Sequence, residues 1–373
     1  MYVHIFVLLF VTAIALFIYD KSNKRRIKDR NKLFLIISEL CIFFVIAFRA
    51  AIVGLDTRVY ERYFYAISVN PDYVERLGWE PLFVLVYRIG IFFNSFQLVL
   101  VITAAITCIG FGYFAYSNTE RDDSAYWFIL FYITLNLYFN SMHLIRQICA
   151  MAFCTNIYTV LSKDRSRKSF IKAGILLLIA VGFHITALFS IVIFIPFLSK
   201  NPSKKPILYT TIGSVIGIAI LPTLQNFLLH HIDRFSVYIG DDRLTSGGTG
   251  VFAISITLIK ICMVLYTVWK YNADDPDNKD LYNLACINVV STAFYLLQFR
   301  TQFALRLGYY YEIFMPMFIA KFIRRLRPTQ TRRIAYFLMA LYGIFYFVYM
   351  MKWGGTKSNR GTVPYYFCWQ EQF

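Results

Sequence analysis

Apolar stretches close to the 20 residues that a bilayer demands recur from Tyr2 to Met351, and the Lys and Arg between them gather in every second connection. A chain patterned in this way is an all-α, polytopic membrane protein with a fixed orientation. The spacing predicts about twelve crossings: 2–19, 33–53, 96–116, 125–140, 143–161, 170–183, 184–199, 207–229, 251–271, 281–299, 303–322 and 334–351. The stretch 81–93 is too short to cross and carries Arg88, so it reads as an interfacial or re-entrant helix. With that choice, the basic loops 20–32, 162–172, 199–206 and 321–333 share one side and hold most of the 38 Lys and Arg, as cytoplasmic loops do. Counting 81–93 as a crossing would scatter them over both sides.

Composition agrees. A soluble domain of 373 residues could not hide a chain that is 58% hydrophobic. The net charge of +17 lies in short loops between spans, which points to topology and anionic headgroups and away from nucleic acid. Six of the seven cysteines fall in apolar segments, Cys368 being the other, and there is no CxxC pair. Neither a disulfide framework nor a zinc site is expected. The first apolar segment lacks a basic leader and an A-x-A site, so it reads as a span rather than a cleaved signal, with Met1 outside. No repeat or linker interrupts the chain, which reads as one transmembrane domain over 1–373, elaborated by an outer loop 54–95 and an outer tail 352–373.

That topology sends most of the unusual polar residues to the outer face. Gly54–Tyr60 (GLDTRVY) follows a span ending near Arg49, and Asp56 suits either a helix N-cap or a base or anion partner. Arg146 and Gln147, in His143–Gln147, stand at the outer start of a span; Arg146 fits a phosphate-binding fork or a snorkelling anchor. His184, in Gly182–Ala187, sits where two short spans meet and has the proton affinity of a base, or of a structural histidine. Phe299–Glu312 carries Arg300 and Arg306 with Tyr309, Tyr310 and Tyr311, which suits a diphosphate grip with sugar contacts or an aromatic belt. Glu39 and Lys260 lie deeper, where ionisable groups are functional candidates or halves of a structural pair.

In chain order these pieces resemble the EpsG family of Wzy-like polysaccharide polymerases: FRA before GLDTRVY, WEPLF at Trp79–Phe83, LIRQICA at Leu144–Ala150, FHITAL at Phe183–Leu188, Arg306 with LGYYY, and VPYYF at Val363–Phe367. The ordered set carries the resemblance, which runs over nearly the whole chain. It implies a fold similar to the GT-C-like glycosyltransferases and O-antigen ligases. It also implies extension of an O-antigen, capsule or exopolysaccharide at the outer face of the bacterial inner membrane. The donor would be a glycan on undecaprenyl diphosphate, the acceptor another lipid-linked repeat unit, and a chain-length-determining membrane protein a candidate partner. No long outer domain is present, so short loops would recognise the acceptor.

The residues suit that chemistry. Charge develops on the leaving diphosphate and must meet cations placed beforehand. The acceptor hydroxyl must lose a proton to a nearby base. A single displacement inverts the anomeric centre and needs no carboxylate nucleophile. Several outer-face Arg and few outer-face carboxylates favour an Arg clamp, with no metal and no cofactor. Arg146 and Arg306 are the expected diphosphate ligands with Arg49 and Arg300 assisting, His184 the base with Asp56 next, and Tyr60, Tyr309 and Tyr310 the sugar contacts. Three rivals share parts of this pattern: a lipid-linked oligosaccharide flippase, whose charges would line a path open to both faces; an O-antigen ligase with another acceptor; and a sugar acyltransferase with His184 as base.

Overall fold

The computed structural model describes residues 1–20, 22–119, 124–198, 204–231, 250–299, 302–353 and 361–370. These residues are mostly helical, and no strand occurs among them. In order the helices are α1 (Tyr2–Ile18), α2 (Ile27–Ala47), α3 (Thr57–Val69), α4 (Tyr73–Leu77), α5 (Pro81–Phe92), α6 (Phe96–Asn118), α7 (Ser124–Thr134), α8 (Leu137–His143), α9 (Ile145–Lys163) and α10 (Arg167–Phe183). A 3-10 helix, Ile185–Phe197, follows, and then α11 (Lys205–His231), α12 (Val251–Lys270), α13 (Lys279–Leu297), α14 (Gln302–Glu312), α15 (Met315–Arg325) and α16 (Thr329–Trp353). Four segments among the described residues are long and apolar enough to cross a membrane: Phe96–Asn118, Val251–Lys270, Pro276–Leu297 and Thr329–Lys352. At 12 residues, α5 is about 18 Å long against a hydrocarbon core of roughly 30 Å, so it does not cross.

Three expected spans are interrupted, each for a local reason. The stretch 125–140 breaks at Asn136, whose φ of 72° is left-handed and ends the helical hydrogen bonding; Asn tolerates that region better than most residues. The stretch 303–322 breaks at Ile313–Phe314 and restarts at Met315. Pro316 is in the first turn of the new helix, where a missing N–H costs nothing. Within 184–199, Ile185–Phe197 is wound as a 3-10 helix instead of an α-helix, with Pro196 near its end.

The described chain divides into two compact units. The first comprises Met1–Thr159, Lys172–Leu188 and Ile323–Phe373, and the second Val160–Ile171 and Phe189–Phe322. In the first unit, α2 packs along α6, and α7 contacts α1, α2 and α16. In the second, α13 packs against α11, α12 and α14.

A strap formed by 361–370 fastens the outer turn of the first unit. Ala50 N–H donates to Tyr366 O at 2.9 Å, Gly54 N–H to Gly361 O at 2.8 Å, and Cys368 N–H to Phe48 O at 2.9 Å. Tyr365 Oη donates to Val45 O at 2.6 Å, and His4 Nε2 lies 2.9 Å from Thr362 O. Gly54 is required at this turn. Its φ is +94°, and a Cβ there would come within 2.5 Å of Met142 O. Arg49 lies under the strap, 1% exposed, in an isolated bridge with Phe367 and with its guanidinium on Ile46 O. With each hydrogen bond contributing about 1 kcal/mol net, deleting 361–373 is expected to lower the thermal midpoint in detergent by several degrees or more. An unchanged midpoint in fluorescence-detected size exclusion would show the strap to be dispensable.

Candidate active site

The first unit gathers four polar side chains from four separate parts of the sequence. The local sequence explains why each faces the others. Pro81 starts α5, where its fixed φ suits the first helical position. That makes Glu80 the residue before the helix, with extended backbone at φ −71° and ψ 146°. Its carboxylate does not cap its own helix. It reaches sideways instead: Oε2 accepts from Arg146 Nη1 at 2.8 Å, and Oε1 accepts from Ile185 N–H at 3.1 Å. His184 Nδ1 stands 3.5 Å from the same Oε1. Glu80 thus ties the start of α5 to the first turn of α9 and to the junction after α10. Gly182 permits this approach of α10 to α5, since a Cβ on it would meet Leu82 Cδ1 at 2.8 Å.

Arg146 is fixed on its other side as well. Its Nε donates to Tyr60 Oη at 3.1 Å, and its guanidinium carbon lies 5.5 Å from the Trp79 ring centre, 5.8 Å from Phe83 and 5.9 Å from Tyr60. A guanidinium held by a carboxylate, a phenol and aromatic faces is presented in one orientation. The Glu80 side chain is 5% exposed, while Arg146 and His184 keep 18% and 20% of theirs. The carboxylate is therefore the buried hinge, and the cation and the imidazole are its accessible arms. Burial pushes the Glu80 carboxyl toward protonation. The nearby His184 imidazole and the charge of Arg146 outweigh it and hold the group well below the usual carboxylate range. Glu80 is therefore ionised at neutral pH. Chemically, the cluster offers a cation for an anionic leaving group beside an imidazole whose tautomer a carboxylate can fix.

Of the residues singled out in the sequence, Arg146 and His184 meet at this carboxylate, and Tyr60 reaches it only through Arg146. Asp56 occupies the N-cap position of α3, one helical turn before Tyr60, half-buried and without a side-chain capping bond. Gln147 is buried beside Arg146, at 4% exposure, and Arg49 lies under the strap. Arg306, Tyr309 and Tyr310 belong to α14 of the second unit, Arg306 exposed and both tyrosines buried. Arg300 lies outside the described residues. Glu80 is the member that reading the sequence passes over. Its only signal is an acid placed before a proline at the head of a short outer helix, within a motif that resembled the family.

The buried charges resolve differently. Lys260 Nζ, on α12, donates to Glu312 Oε2 at 2.7 Å and to Ser291 Oγ at 3.0 Å, and it sits 3.9 Å from the Tyr295 ring centre. Glu39 lies between α2 and α6, its Cγ close against Gly112. Among the described residues, no group of three His, Cys, Asp or Glu is arranged to hold a metal ion.

No curated protein and no solved structure matches the chain. A family model, that of the EpsG family, matches residues 32–367, from Lys32 in α2 to Phe367 in the strap, and so takes in every member of the Glu80 cluster. The chain accordingly belongs to the EpsG family, as a multi-pass membrane protein with a polymerase-type role in polysaccharide biosynthesis.

Proposed function

We propose that the protein is an inverting, metal-independent glycosyltransferase. It moves a glycan from polyprenyl diphosphate, of the undecaprenyl type, onto a sugar hydroxyl of another lipid-linked repeat unit. The observation that carries this reading is the Glu80 carboxylate joined to both Arg146 and His184. In the step we envisage, the acceptor oxygen attacks the anomeric carbon as the bond from that carbon to the diphosphate oxygen breaks. The acceptor proton passes to Nε2 of His184, because a carboxylate facing Nδ1 favours the tautomer with its proton there. The 3.5 Å separation is long for a hydrogen bond, as catalytic contacts often are before substrate binds. Arg146 meets the charge growing on the diphosphate, in a site where its donors are already oriented. Arg306, Arg300 and Arg49 are further diphosphate candidates. Tyr60, Tyr309, Tyr310 and Gln147 are candidates for sugar contact, and Asp56 for the alternative base.

The same proposal includes about twelve crossings of GT-C-like arrangement acting as one transmembrane domain in the bacterial inner membrane. Both termini and the Glu80 cluster would then face the periplasm or exterior, and a chain-length-determining protein would be a partner. The basic loops 20–32, 162–172, 199–206 and 321–333 support that orientation.

Purified protein in vesicles with a labelled polyprenyl-diphosphate oligosaccharide tests the reading. Wild type is expected to give a ladder of repeats. His184→Ala is expected to lower the rate by about 10²–10⁴-fold, the usual contribution of a general base, at unchanged protein level. Passage of the lipid across the bilayer without chain growth would make the protein a flippase. A single transfer onto lipid A core would make it a ligase. A full ladder from His184→Ala would remove the base from the mechanism.

A further inference from the structure

A row of aromatic rings leads away from Arg146. The Trp79 ring centre stands 5.5 Å from the guanidinium carbon, Tyr63 is 5.6 Å from Trp79, and Tyr73 is 6.2 Å from Tyr63. Tyr60 flanks the start of the row, 5.6 Å from Trp79. The local sequence builds it. Tyr60 and Tyr63 are three residues apart and share one side of α3. Gly78, left-handed with a φ of 56°, ends α4 and turns the chain, so that Tyr73 before the turn and Trp79 after it both meet Tyr63. Fully buried Phe83 and Tyr87 back the Trp79 ring at 5.2 and 4.8 Å, which fixes it without a ligand.

Two observations mark the row as a surface for a ligand. Tyr60, Tyr63, Tyr73 and Trp79 are all only half-buried, and the hydroxyls of Tyr63 and Tyr73 and Nε1 of Trp79 bond to no described residue. Phenol and indole tips ordinarily find a partner, and here solvent or a ligand supplies it. The helices that hold the row, α3 and α4, also expose Arg58, Arg62, Glu75 and Arg76. Hydrocarbon does not admit such charges, so the row faces water.

The chemistry selects the occupant. Rigid aromatic faces take the C–H face of a sugar ring at small entropic cost, while their polar tips bond its hydroxyls. Along the contacts of the Glu80 cluster the order is Tyr60, Arg146, Glu80, His184. The row leaves from the Arg146 end, where the diphosphate would lie, and the base for the acceptor hydroxyl stands beyond Glu80. A donor's glycan begins one bond from its diphosphate. We propose that the row seats the glycan of the polyprenyl-diphosphate donor, with its first sugar at Trp79 and later sugars at Tyr63 and Tyr73. The assignment to the donor rests on the transfer reaction proposed above.

The test compares two donors on the full chain in nanodiscs: polyprenyl diphosphate carrying one sugar, and the same lipid carrying a whole repeat. Tyr63→Ala and Tyr73→Ala are each expected to weaken equilibrium binding of the whole-repeat donor about three- to tenfold, the worth of one aromatic contact. Tyr73→Phe is expected to keep most of the affinity. The single-sugar donor, too short to reach either ring, is expected to bind both alanine variants as it binds wild type. In transfer to an acceptor whose glycan is ether-linked to its lipid, and which therefore cannot donate, KM for the whole-repeat donor is expected to rise by the same factor and KM for the acceptor to stay. Equal losses for both donors would reduce the rings to a structural role. That result, unchanged binding of the long donor, or a rise confined to the acceptor's KM would overturn the inference. Weakened binding of the long donor alone, in a protein that makes no polymer, would keep the glycan row and remove the transfer. A full ladder with binding indifferent to both variants would keep the transfer and remove the row.

Discussion

Glu80→Gln is expected to cut polymer synthesis by roughly two to three orders of magnitude while leaving most of the protein folded. The carboxylate makes a charge-assisted bond to Arg146 at 2.8 Å, accepts from Ile185 N–H at 3.1 Å and faces His184 at 3.5 Å. Glutamine keeps the size and one acceptor oxygen, so the Ile185 contact can persist. It loses the charge, which leaves the Arg146 guanidinium without its counter-ion. Truncating one partner of a buried charge pair costs about 2–5 kcal/mol, and 1.4 kcal/mol is a factor of ten, so the range brackets the expected loss. Part of that cost appears as stability and part as activity, and the split is what the experiment reads. If Glu80 serves only the fold, Glu80→Gln lowers the thermal midpoint, and activity at low temperature recovers. If it orients the arms of the site, kcat falls at a temperature where the variant is fully folded. Glu80→Asp, charged but shorter, then restores part of the rate. Arg146→Ala and Glu80→Gln together are expected to cost much less than the sum of the two, because each breaks the same contact. A Glu80→Gln variant with wild-type kcat would remove the carboxylate from the mechanism.

Much of the helical framework is legible in the sequence, because apolar length and loop charge are local properties. The breaks are less so. Asn136 and Pro316 are visible as residues, but each interrupts a helix that apolar content alone continues. The 3-10 conformation of Ile185–Phe197 has no local sign beyond Pro196. The candidate site is legible by halves. Arg146 and His184 are conspicuous because charge and imidazole are rare at the margin of an apolar segment. Glu80 is not, because an acid before a proline in an outer loop reads as a solvated cap. Its meaning lies in partners 66 and 105 residues away, which no local pattern encodes. Lys260 shows the converse. Its depth made it conspicuous, and its partner, 52 residues on, was unreadable.

That pair gives the second large effect. Lys260→Met is expected to destabilise the protein by about 3–5 kcal/mol, the cost of leaving a buried charge alone. Among the described residues, Glu312, 2% exposed, would keep Ser291 alone as a hydrogen-bond partner. Such a loss is a large part of the 5–15 kcal/mol by which a domain is usually stable. Little folded protein should therefore survive detergent extraction. The pair itself contributes far less than its removal costs, because desolvating two ions consumes most of their attraction. Lys260→Met with Glu312→Leu should accordingly be much more stable than either single change, close to wild type or above it, as thermal denaturation followed by size exclusion would read. A double variant no better than the worse single one would sink this account. The same protein decides what the lysine is for. A charge that carries a substrate or proton through a transporter cannot be replaced by methyl groups, so a stable double variant would be inert. A charge that only locks α12 to α14 can be replaced, and the stable double variant would still lengthen polymer.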